Sequence, residues 1–431
     1  MRHKKWLIYV LAFGLLIRFL LFVLAPSYDC IPLGNISLPS ESSYFKGAST
    51  YDSQEYKLLA LNLLHHHRFS WNLEPNTFRT PGYPLFIAAI YSIFGPREWI
   101  IILLQVLIGT ANIYLIYLIG RVIWSELCGI IAGALLSIDF AAIFYGSMFM
   151  SDTLFLFFIL LGILLFLKTK SPFCGFIFGA SAMIRPIAFY LFIPLLFFSM
   201  PIKRCVLFLF LFFLPIAPWI IRNYSIYHSP QITSVQGLNL LFCNVAGFEA
   251  YRTGKDIGDI RKQFTEELSD STSNPLHLSS SAQWLAIKKI ANAPFKYMFF
   301  HLYGATKMLL STKSDDMILK FSGFNKGHSE LMKTVYQEKR VFGKIPFVLL
   351  ALLEVSLIVG SIILAFIAFI RYPHYPNSFL LALAFFFFIL SGGALLDAHL
   401  RIPLTVLFYI LAARFISEFK ISSNNLSNDI S

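Results

Sequence analysis

The sequence has 431 residues, of which 57% are apolar and only 13% charged, and its formal net charge is +12. Soluble globular proteins are about 25% charged and about 45–50% apolar. The composition therefore excludes a soluble enzyme, a disordered chain and a nucleic-acid-binding domain. It indicates a multi-pass membrane protein, in which charge has to be counted separately on the two sides of the bilayer.

Apolar runs long enough for membrane spans recur along the chain, since a span needs about 20 mostly apolar residues. In chain order they are residues 6–25, 99–120, 127–145, 153–167, 173–200, 205–221, 345–370, 378–396 and 402–415. The first run is predicted to stay as an anchor, because no small-residue cleavage site follows it.

The run 173–200 is unusual because Arg185-Pro186 lies at its middle. Proline disfavours helix at the residue before it and interrupts the hydrogen-bond ladder after it. We therefore predict two short helices that form a hairpin at this dipeptide. With the hairpin, the chain has about ten membrane segments and an all-α integral membrane fold.

Lysine and arginine concentrate in the short loops, which the positive-inside rule assigns to the cytoplasm. Both termini are then predicted to be cytoplasmic, and two long loops, 26–98 and 222–344, fall on the outer side. Helical spacing of leucines after Asp52 predicts a helix in the first loop. Residues 295–310 have the pattern of an interfacial amphipathic helix, and Phe295, Phe299 and Leu309 are among the apolar residues expected on one face.

The sequence thus divides into four parts, which we treat as predicted units. They are a membrane module 1–221 that includes the outer loop 26–98, an outer region 222–344, C-terminal membrane helices 345–416 and a cytoplasmic tail 417–431. The first and second outer loops contain Cys30 and Cys243, which are positioned on the same side and can pair.

Two acids are expected at the outer rim, and each has two interpretations. Asp52 followed by Glu55 has the spacing of a helix capping box, and it can equally be a general base. Asp152, in the turn before the run 153–167, can cap that helix or serve as a second active-site acid. Two such acids can also share a metal ion, so a divalent metal stays open.

Arginines near the predicted outer face are candidates for binding a lipid phosphate. Arg79 precedes a rigid Pro81-Gly82 turn, and its planar guanidinium suits bidentate phosphate binding. Arg185 interrupts an apolar run, which marks a functional candidate within a membrane. Arg401 begins the last run and is a further candidate. The alternative for Arg79 and Arg401 is ordinary snorkelling to the interface.

Several of these segments together resemble GT-C glycosyltransferases of the protein-mannosyltransferase and lipid A aminoarabinose-transferase-like group. The resembling stretches are Tyr51-Asp52-Ser53-Gln54-Glu55-Tyr56, Phe78-Arg79-Thr80-Pro81-Gly82-Tyr83-Pro84-Leu85-Phe86 with Phe94-Gly95, Ser151-Asp152-Thr153-Leu154-Phe155, Ile184-Arg185-Pro186, Pro218-Trp219-Ile220-Ile221-Arg222-Asn223-Tyr224 and Arg401-Ile402-Pro403.

The resemblance implies a GT-C type fold and an inverting transfer of a sugar from a polyprenyl-phosphate donor. It implies that Asp52 is the catalytic base or orients the acceptor, and that Asp152 is the second acid. Arg79 and Arg185 would lie at the donor phosphate, with Arg222 near the cavity. The acceptor would be a lipid, a glycan or a protein on the outer face of the cell (inner) membrane.

Two other classes of function compete with this interpretation. A secondary transporter predicts midplane charges, broken helices and an internal repeat; Arg185-Pro186 fits the first two, but no repeat is visible. An O-antigen-type polymerase or ligase would share the polyprenyl chemistry, with its arginines mainly in late outer loops. The two long outer loops are also unexpected for a transporter.

Overall fold

A computed structural model describes residues 2–24, 52–71, 74–169, 171–198, 202–268, 274–314, 345–394 and 397–428. This part of the chain is α-helical and contains no β-sheet; a single isolated bridge joins Ser70 and Pro75. The predicted all-α class is confirmed.

The helices before the outer region follow one another with short connections. They are α1 (Arg2–Leu24), α2 (Asp52–His66), α3 (Gly82–Phe94), α4 (Glu98–Ile123), α5 (Glu126–Ser137), α6 (Phe140–Gly146), α7 (Asp152–Thr169), α8 (Cys174–Ile184), a 3₁₀ turn (Pro186–Leu191), α9 (Phe192–Phe197), α10 (Ile202–Phe213) and α11 (Ala217–Tyr227).

The remaining helices form the predicted outer region and the C-terminal membrane part. They are α12 (Val235–Asn239), a π-helical segment (Leu240–Val245), α13 (Ala246–Thr253), α14 (Ile257–Glu267), α15 (Pro275–Ala291), α16 (Pro294–Leu309), α17 (Ile345–Arg371), α18 (Asn377–Ser391), a 3₁₀ turn (Ala398–Arg401) and α19 (Ile402–Asn428).

Five of the described helices are long and apolar enough to cross a membrane. Two further pairs of helices are bent at a short break, and the number of spans rises to seven if each pair counts as one span. The bent pairs are α5 with α6, at 63°, and α10 with α11, at 53°. Four shorter apolar helices, α3, α8, α18 and the segment Pro186–Phe197, accompany them. A multi-pass membrane architecture is thus established, and the count of ten stays a prediction.

The chain reverses direction at Arg185-Pro186, as the hairpin requires. Arg185 binds Asp152 at the start of α7. Phe198 packs on Phe379, whose ring also stacks on Phe166 near the end of α7. Residues 185–198 therefore run back along the length of α7, antiparallel to α8.

Two glycines on α8 bring α10 into close parallel contact with it. A Cβ on Gly175 would lie 2.4 Å from the Phe208 carbonyl oxygen, and one on Gly179 would lie 2.0 Å from that of Phe212. The contacts advance in the same direction along both helices, so α8 and α10 are parallel. Parallel neighbours need a returning segment between them, which residues 186–198 provide.

The membrane helices share one apolar core, whereas part of the outer region has a small core of its own. The second core contains Leu241, Phe242, Val245, Ala246, Ile260, Phe264, Leu268, Ala282 and Ala286. Residues 235–290 therefore form a helical unit with its own packing, consistent with burial of apolar side chains as the main driving force.

Helix α16 is present where an amphipathic helix was predicted, but its faces divide differently. Phe295 and Phe299 are 74% and 67% exposed, whereas Leu309, expected on the same face, is buried with Ala305. The buried face is set by packing on α18 and the 3₁₀ turn before α19. Periodicity could not identify this contact because the partner helix is distant in sequence.

Candidate active site

The first turn of α2 presents two carboxylates to one arginine. Asp52 and Glu55 are three residues apart and so lie on the same helix face. Arg79 binds the Asp52 carboxylate, and its Nε and terminal nitrogen both lie 2.7 Å from Glu55 Oε2. The guanidinium also covers the Tyr56 ring, at 5.1 Å from its centroid.

Burial alone would lower the pKa of Arg79, but the neighbouring Asp52 and Glu55 carboxylates outweigh it and raise this pKa well above its ordinary value. The side chain is therefore a permanent cation. A permanent planar cation held over an aromatic ring has the chemistry to receive a phosphate.

The turn that carries Arg79 rests against the turn that carries Arg185. The Thr80 hydroxyl donates to the Ile184 carbonyl oxygen at 3.3 Å. A Cβ on Gly82 would lie 2.6 Å from the Met183 carbonyl oxygen, so only glycine permits this approach. The two arginines are thus carried by turns in direct contact.

Asp152 is almost completely buried at the start of α7 and forms an ion pair with Arg185. Arg185 has extended backbone dihedrals, as expected for a residue before proline. Its guanidinium lies 5.8 Å from the centroid of the Phe155 ring. The acid and the arginine therefore form a second pair, built like the pair of Asp52 and Arg79.

Tyr56 connects the two pairs. Its hydroxyl lies 3.5 Å from the Ser151 Oγ, directly before Asp152. Burial is the largest effect on Tyr56 and raises its pKa above the ordinary value. The charge of Arg79 lowers this pKa, that of Asp52 raises it, and that of Arg185 lowers it least. Tyr56 therefore lies close to groups of both pairs. The side chains of Asp52, Asp152, Arg79 and Arg185 thus lie in one region of the protein.

Arg222 lies beside this region and supports a loop. Its terminal nitrogens donate to the carbonyl oxygens of Asn76 at 2.9 Å and Phe69 at 3.3 Å, and it stacks on Trp219 at 4.7 Å. Asn76 in turn accepts the backbone N–H of Arg79. Arg222 therefore helps to position Arg79, and direct phosphate binding by Arg222 stays a prediction.

Arg401 has a different environment from the one predicted. The side chain is completely buried, and it binds Glu354 at 2.5 Å and Asp139 at 3.3 Å. Its Nε donates to the Ser311 carbonyl oxygen. Since all its nitrogens are occupied inside the protein, the contacts do not support binding of the donor phosphate; Arg401 neutralises two buried carboxylates.

The described residues include no group of three or more histidine, cysteine, aspartate or glutamate side chains that could hold a metal ion. Asp52 and Asp152 are each bound to a separate arginine instead of facing each other across one ion. This donor set does not fit a shared metal ion. Cys30 lies outside the described residues, so its pairing with Cys243 stays a prediction.

An apolar cavity of about 720 Å³ opens beside the two arginine-bearing turns. Its lining is apolar apart from backbone: Leu63, Phe69, Pro81, Gly82, Leu85, Phe86, Leu154, Phe158, Ala180, Met183, Ile184, Pro215, Pro218 and Trp219. The lining includes the residues that directly precede Arg185 and that shortly follow Arg79. An apolar chain in this cavity would therefore end near two cations.

Three residues of the site were not predicted to be functional, namely Glu55, Tyr56 and Ser151. Glu55 was interpreted only as part of a helix cap. Its spacing of three residues from Asp52 is the signal that could have identified it as a partner of the same cation. No local signal identifies the contact of Tyr56 with Ser151, which depends on the packing of α2 beside α7.

Residues 78–221 match the sequence profile of the family described as dolichyl-phosphate-mannose-protein mannosyltransferase. The match contains Arg79, Asp152 and Arg185, and it confirms the family resemblance inferred from the sequence. Among curated proteins, none matches the chain.

Several solved structures resemble the chain at low sequence identity. The archaeal oligosaccharyltransferase AglB from Archaeoglobus fulgidus, in complex with an inhibitory peptide and a dolichol-phosphate, is 14% identical with a TM-score of 0.48, over 99% of this chain and 52% of that one. The apo form of the same oligosaccharyltransferase is also 14% identical, with a TM-score of 0.46, over 99% of this chain and 52% of that one.

ArnT from Cupriavidus metallidurans in the apo state is 13% identical with a TM-score of 0.39, over 96% of this chain and 77% of that one. The chain spans about half the length of the oligosaccharyltransferase chains it matches. At these identities and TM-scores the likenesses carry no argument about function.

Proposed function

We propose that the protein is a membrane glycosyltransferase that moves a sugar from a polyprenyl-phosphate donor to a hydroxyl group of an acceptor. The observation that carries the proposal is the apolar cavity beside Arg79 and Arg185. A polyprenyl chain is apolar along its whole length and ends in a phosphate. The apolar cavity matches the prenyl chain, and the two arginines beside it match the terminal phosphate.

In this proposal the prenyl chain occupies the cavity, and its phosphate meets the guanidinium groups of Arg79 and Arg185. Planar guanidinium groups bind phosphate with two parallel hydrogen bonds. The sugar would then lie beyond the phosphate, near Asp52 and Asp152. The family match over residues 78–221 supports a donor of this chemical class.

The reaction is an inverting displacement. The acceptor oxygen forms a bond to the anomeric carbon, and the bond from that carbon to the phosphate oxygen breaks. The leaving polyprenyl phosphate keeps the electron pair, and Arg79 and Arg185 stabilise the charge that develops on it. Asp52 takes the proton of the acceptor hydroxyl as a general base.

Asp152 is the second acid of the site and holds Arg185 in place. The sugar is a hexose or a pentose, and the acceptor is a lipid, a glycan or a protein on the extracytoplasmic face of the cell (inner) membrane. The donor brings its own activated leaving group, so the reaction needs no nucleotide-binding loop.

The proposal is tested with purified protein in nanodiscs and polyprenyl-phosphate donors that carry labelled hexoses or pentoses. Acceptors are identified by mass spectrometry of surface glycans, lipids and glycoproteins from a deletion strain. A missing sugar mass in the deletion strain, and its restoration by the purified protein, are expected. Unchanged glycans together with uptake of a solute would favour a transporter.

The cavity is tested separately by filling it. Ala180→Phe should raise the KM for a long-chain donor because the aromatic ring occupies space that the prenyl chain needs. Ala134→Phe is the matched control, since Ala134 is also half-buried on a helix but does not line the cavity. Equal donor KM values for the two variants would contradict lipid binding in this cavity.

A further inference from the structure

A second, very small cavity lies beside the first turn of α7, which carries Asp152. It is lined by Arg18, Gly109, Asn112, Leu136, Ala142, Asp152, Thr153, Leu156 and Ile402. The centre of a water-sized sphere can move within about 10 Å³ of it, so the cavity has room for one water molecule.

Three residues that line this cavity each have one buried polar atom without a hydrogen-bond partner in the part of the chain that the structure describes. The atoms are Arg18 Nε, Asn112 Oδ1 and Asp152 Oδ2. The three residues are only 1%, 2% and 3% exposed. A buried polar atom without a partner is costly, so three such atoms around one cavity call for a common explanation.

The other polar atoms of the same side chains are already engaged. Asn112 Nδ2 donates to the Thr153 carbonyl oxygen at 3.1 Å, which fixes the amide orientation. The terminal nitrogens of Arg18 donate to the carbonyl oxygens of Gly14 and Leu136 at 3.1 and 3.2 Å. The other carboxylate oxygen of Asp152 binds Arg185.

One hydrogen-bond donor and two acceptors therefore remain free around the cavity. A water molecule can accept one hydrogen bond and donate two, and buried waters typically make about three. An anion in the cavity would be repelled by the Asp152 carboxylate, and a cation would be repelled by the Arg18 guanidinium. Water is the small molecule whose hydrogen-bonding capacity matches all three atoms.

We propose that one buried water accepts a hydrogen bond from Arg18 Nε and donates to Asn112 Oδ1 and Asp152 Oδ2. Arg18 and Asn112 are then positioning residues for the reaction. With one carboxylate oxygen on Arg185 and the other on the water, the plane of the Asp152 carboxylate is fixed, and so is Arg185. This role in the reaction rests on the proposed function, whereas the water site itself does not.

The packing of Arg18 supports the proposal. Gly109 lies against the guanidinium, and a Cβ at this position would be 3.1 Å from Arg18 Nε and 3.2 Å from its Cδ. The absence of a side chain at Gly109 thus leaves room for Arg18 at the edge of the cavity. Burial of a charged arginine among apolar helices costs free energy, which marks Arg18 as a functional candidate.

The direct test is an experimental structure of the full chain in nanodiscs at a resolution that shows ordered water. The expected result is one density peak within hydrogen-bonding distance of Arg18 Nε, Asn112 Oδ1 and Asp152 Oδ2. A cavity without density, or a direct contact between Arg18 and Asp152, would overturn the proposal. This outcome does not depend on any activity.

A kinetic test uses Gly109→Ala, with Gly133→Ala as its matched control. A Cβ on Gly133 has its nearest contacts at 3.5 Å, so that substitution fits without displacement. Gly109→Ala would push Arg18 aside by a few tenths of an ångström, so it should lower kcat several-fold, below the roughly 100-fold effect of a misplacement of 1 Å, and leave the donor KM nearly unchanged. Equal kcat in both variants would overturn the positioning role.

The two tests also separate the inference from the proposed function. If the wild-type protein transfers no sugar from any polyprenyl-phosphate donor, the proposed function fails, and the density peak still decides whether the water exists. If the wild-type protein is active and the peak is missing, only the water proposal fails. Abundance and thermal stability of both alanine variants, measured in parallel, identify a variant that does not fold.

Discussion

Asp52 and Glu55 hold the same arginine, so their substitutions distinguish a general base from an ion-pair partner. Asp52→Asn should lower sugar transfer by about 10²–10⁴-fold, because an amide cannot accept the proton of the acceptor hydroxyl. Turnover is measured with equally abundant purified variants and a polyprenyl-phosphate donor.

The control for this prediction is Glu55→Gln, which removes the other carboxylate from Arg79 but leaves the base intact. It should retain most of the turnover. Equal losses in Asp52→Asn and Glu55→Gln would mean that Asp52 serves only to hold Arg79. Near-normal transfer by Asp52→Asn would leave helix capping as the role of this residue, since asparagine caps as well as aspartate.

The two arginines of the site are expected to act through geometry as well as charge. Arg79→Lys and Arg185→Lys keep the positive charge but lose the planar, two-pronged arrangement that suits phosphate. Each should raise the donor KM more than it lowers protein abundance. Arg252→Lys, at an exposed ion pair in the outer region, is the control and should behave like the wild-type protein.

At the scale of the elements, the hairpin of α8 with residues 186–198 determines on which side the next helix begins. We expect Lys203, at the start of α10, to be cytoplasmic and the exposed Lys262 on α14 to be extracytoplasmic. In a variant whose native cysteines are replaced by serine, cysteines introduced at these positions are labelled in intact cells with a membrane-impermeant thiol reagent. Labelling of Lys262→Cys alone is the expected result.

Labelling of Lys203→Cys from the outside would contradict the predicted sidedness. The packing of α10 parallel to α8 would still stand, since it depends on contacts between the helices and not on the orientation of the protein in the bilayer. Permeabilised cells, in which both cysteines should react, control for accessibility.

At the scale of the whole molecule, the outer helical region docks on the turn between α18 and α19. A Cβ on Gly304 of α16 would lie 1.9 Å from the Gly393 carbonyl oxygen. His301 lies 2.8 Å from the Ile389 carbonyl oxygen, and Asn244 accepts the Ala394 N–H at 3.1 Å. The docking thus depends on close backbone approach.

Gly304→Ala should therefore weaken this docking, because overpacking of a close contact typically costs about 1–3 kcal/mol. The expected result is faster limited proteolysis of residues 235–309 and a lower temperature of thermal unfolding. Gly360→Ala is the control, because a Cβ at Gly360 meets nothing within 4 Å. Equal proteolysis of both variants would show that the docking tolerates a methyl group.

The sequence by itself determined the class of the protein and much of its architecture. Apolar runs, the break at Arg185-Pro186 and the polar start of α2 are local properties, because a helix forms its backbone hydrogen bonds within its own segment. Asp152 and Arg185 were also visible, the first directly before an apolar run and the second in the middle of one, and Asp52 and Arg79 were visible as charged residues of the first long loop.

Only the tertiary structure decided which of these side chains meet. Arg79 binds Asp52 across 27 positions, whereas Arg401 binds Asp139 across 262 positions and is thereby removed from the candidate site. The three unpartnered atoms around the small cavity come from α1, α4 and α7. Such contacts depend on how distant helices pack, and periodicity within one helix does not specify its neighbour.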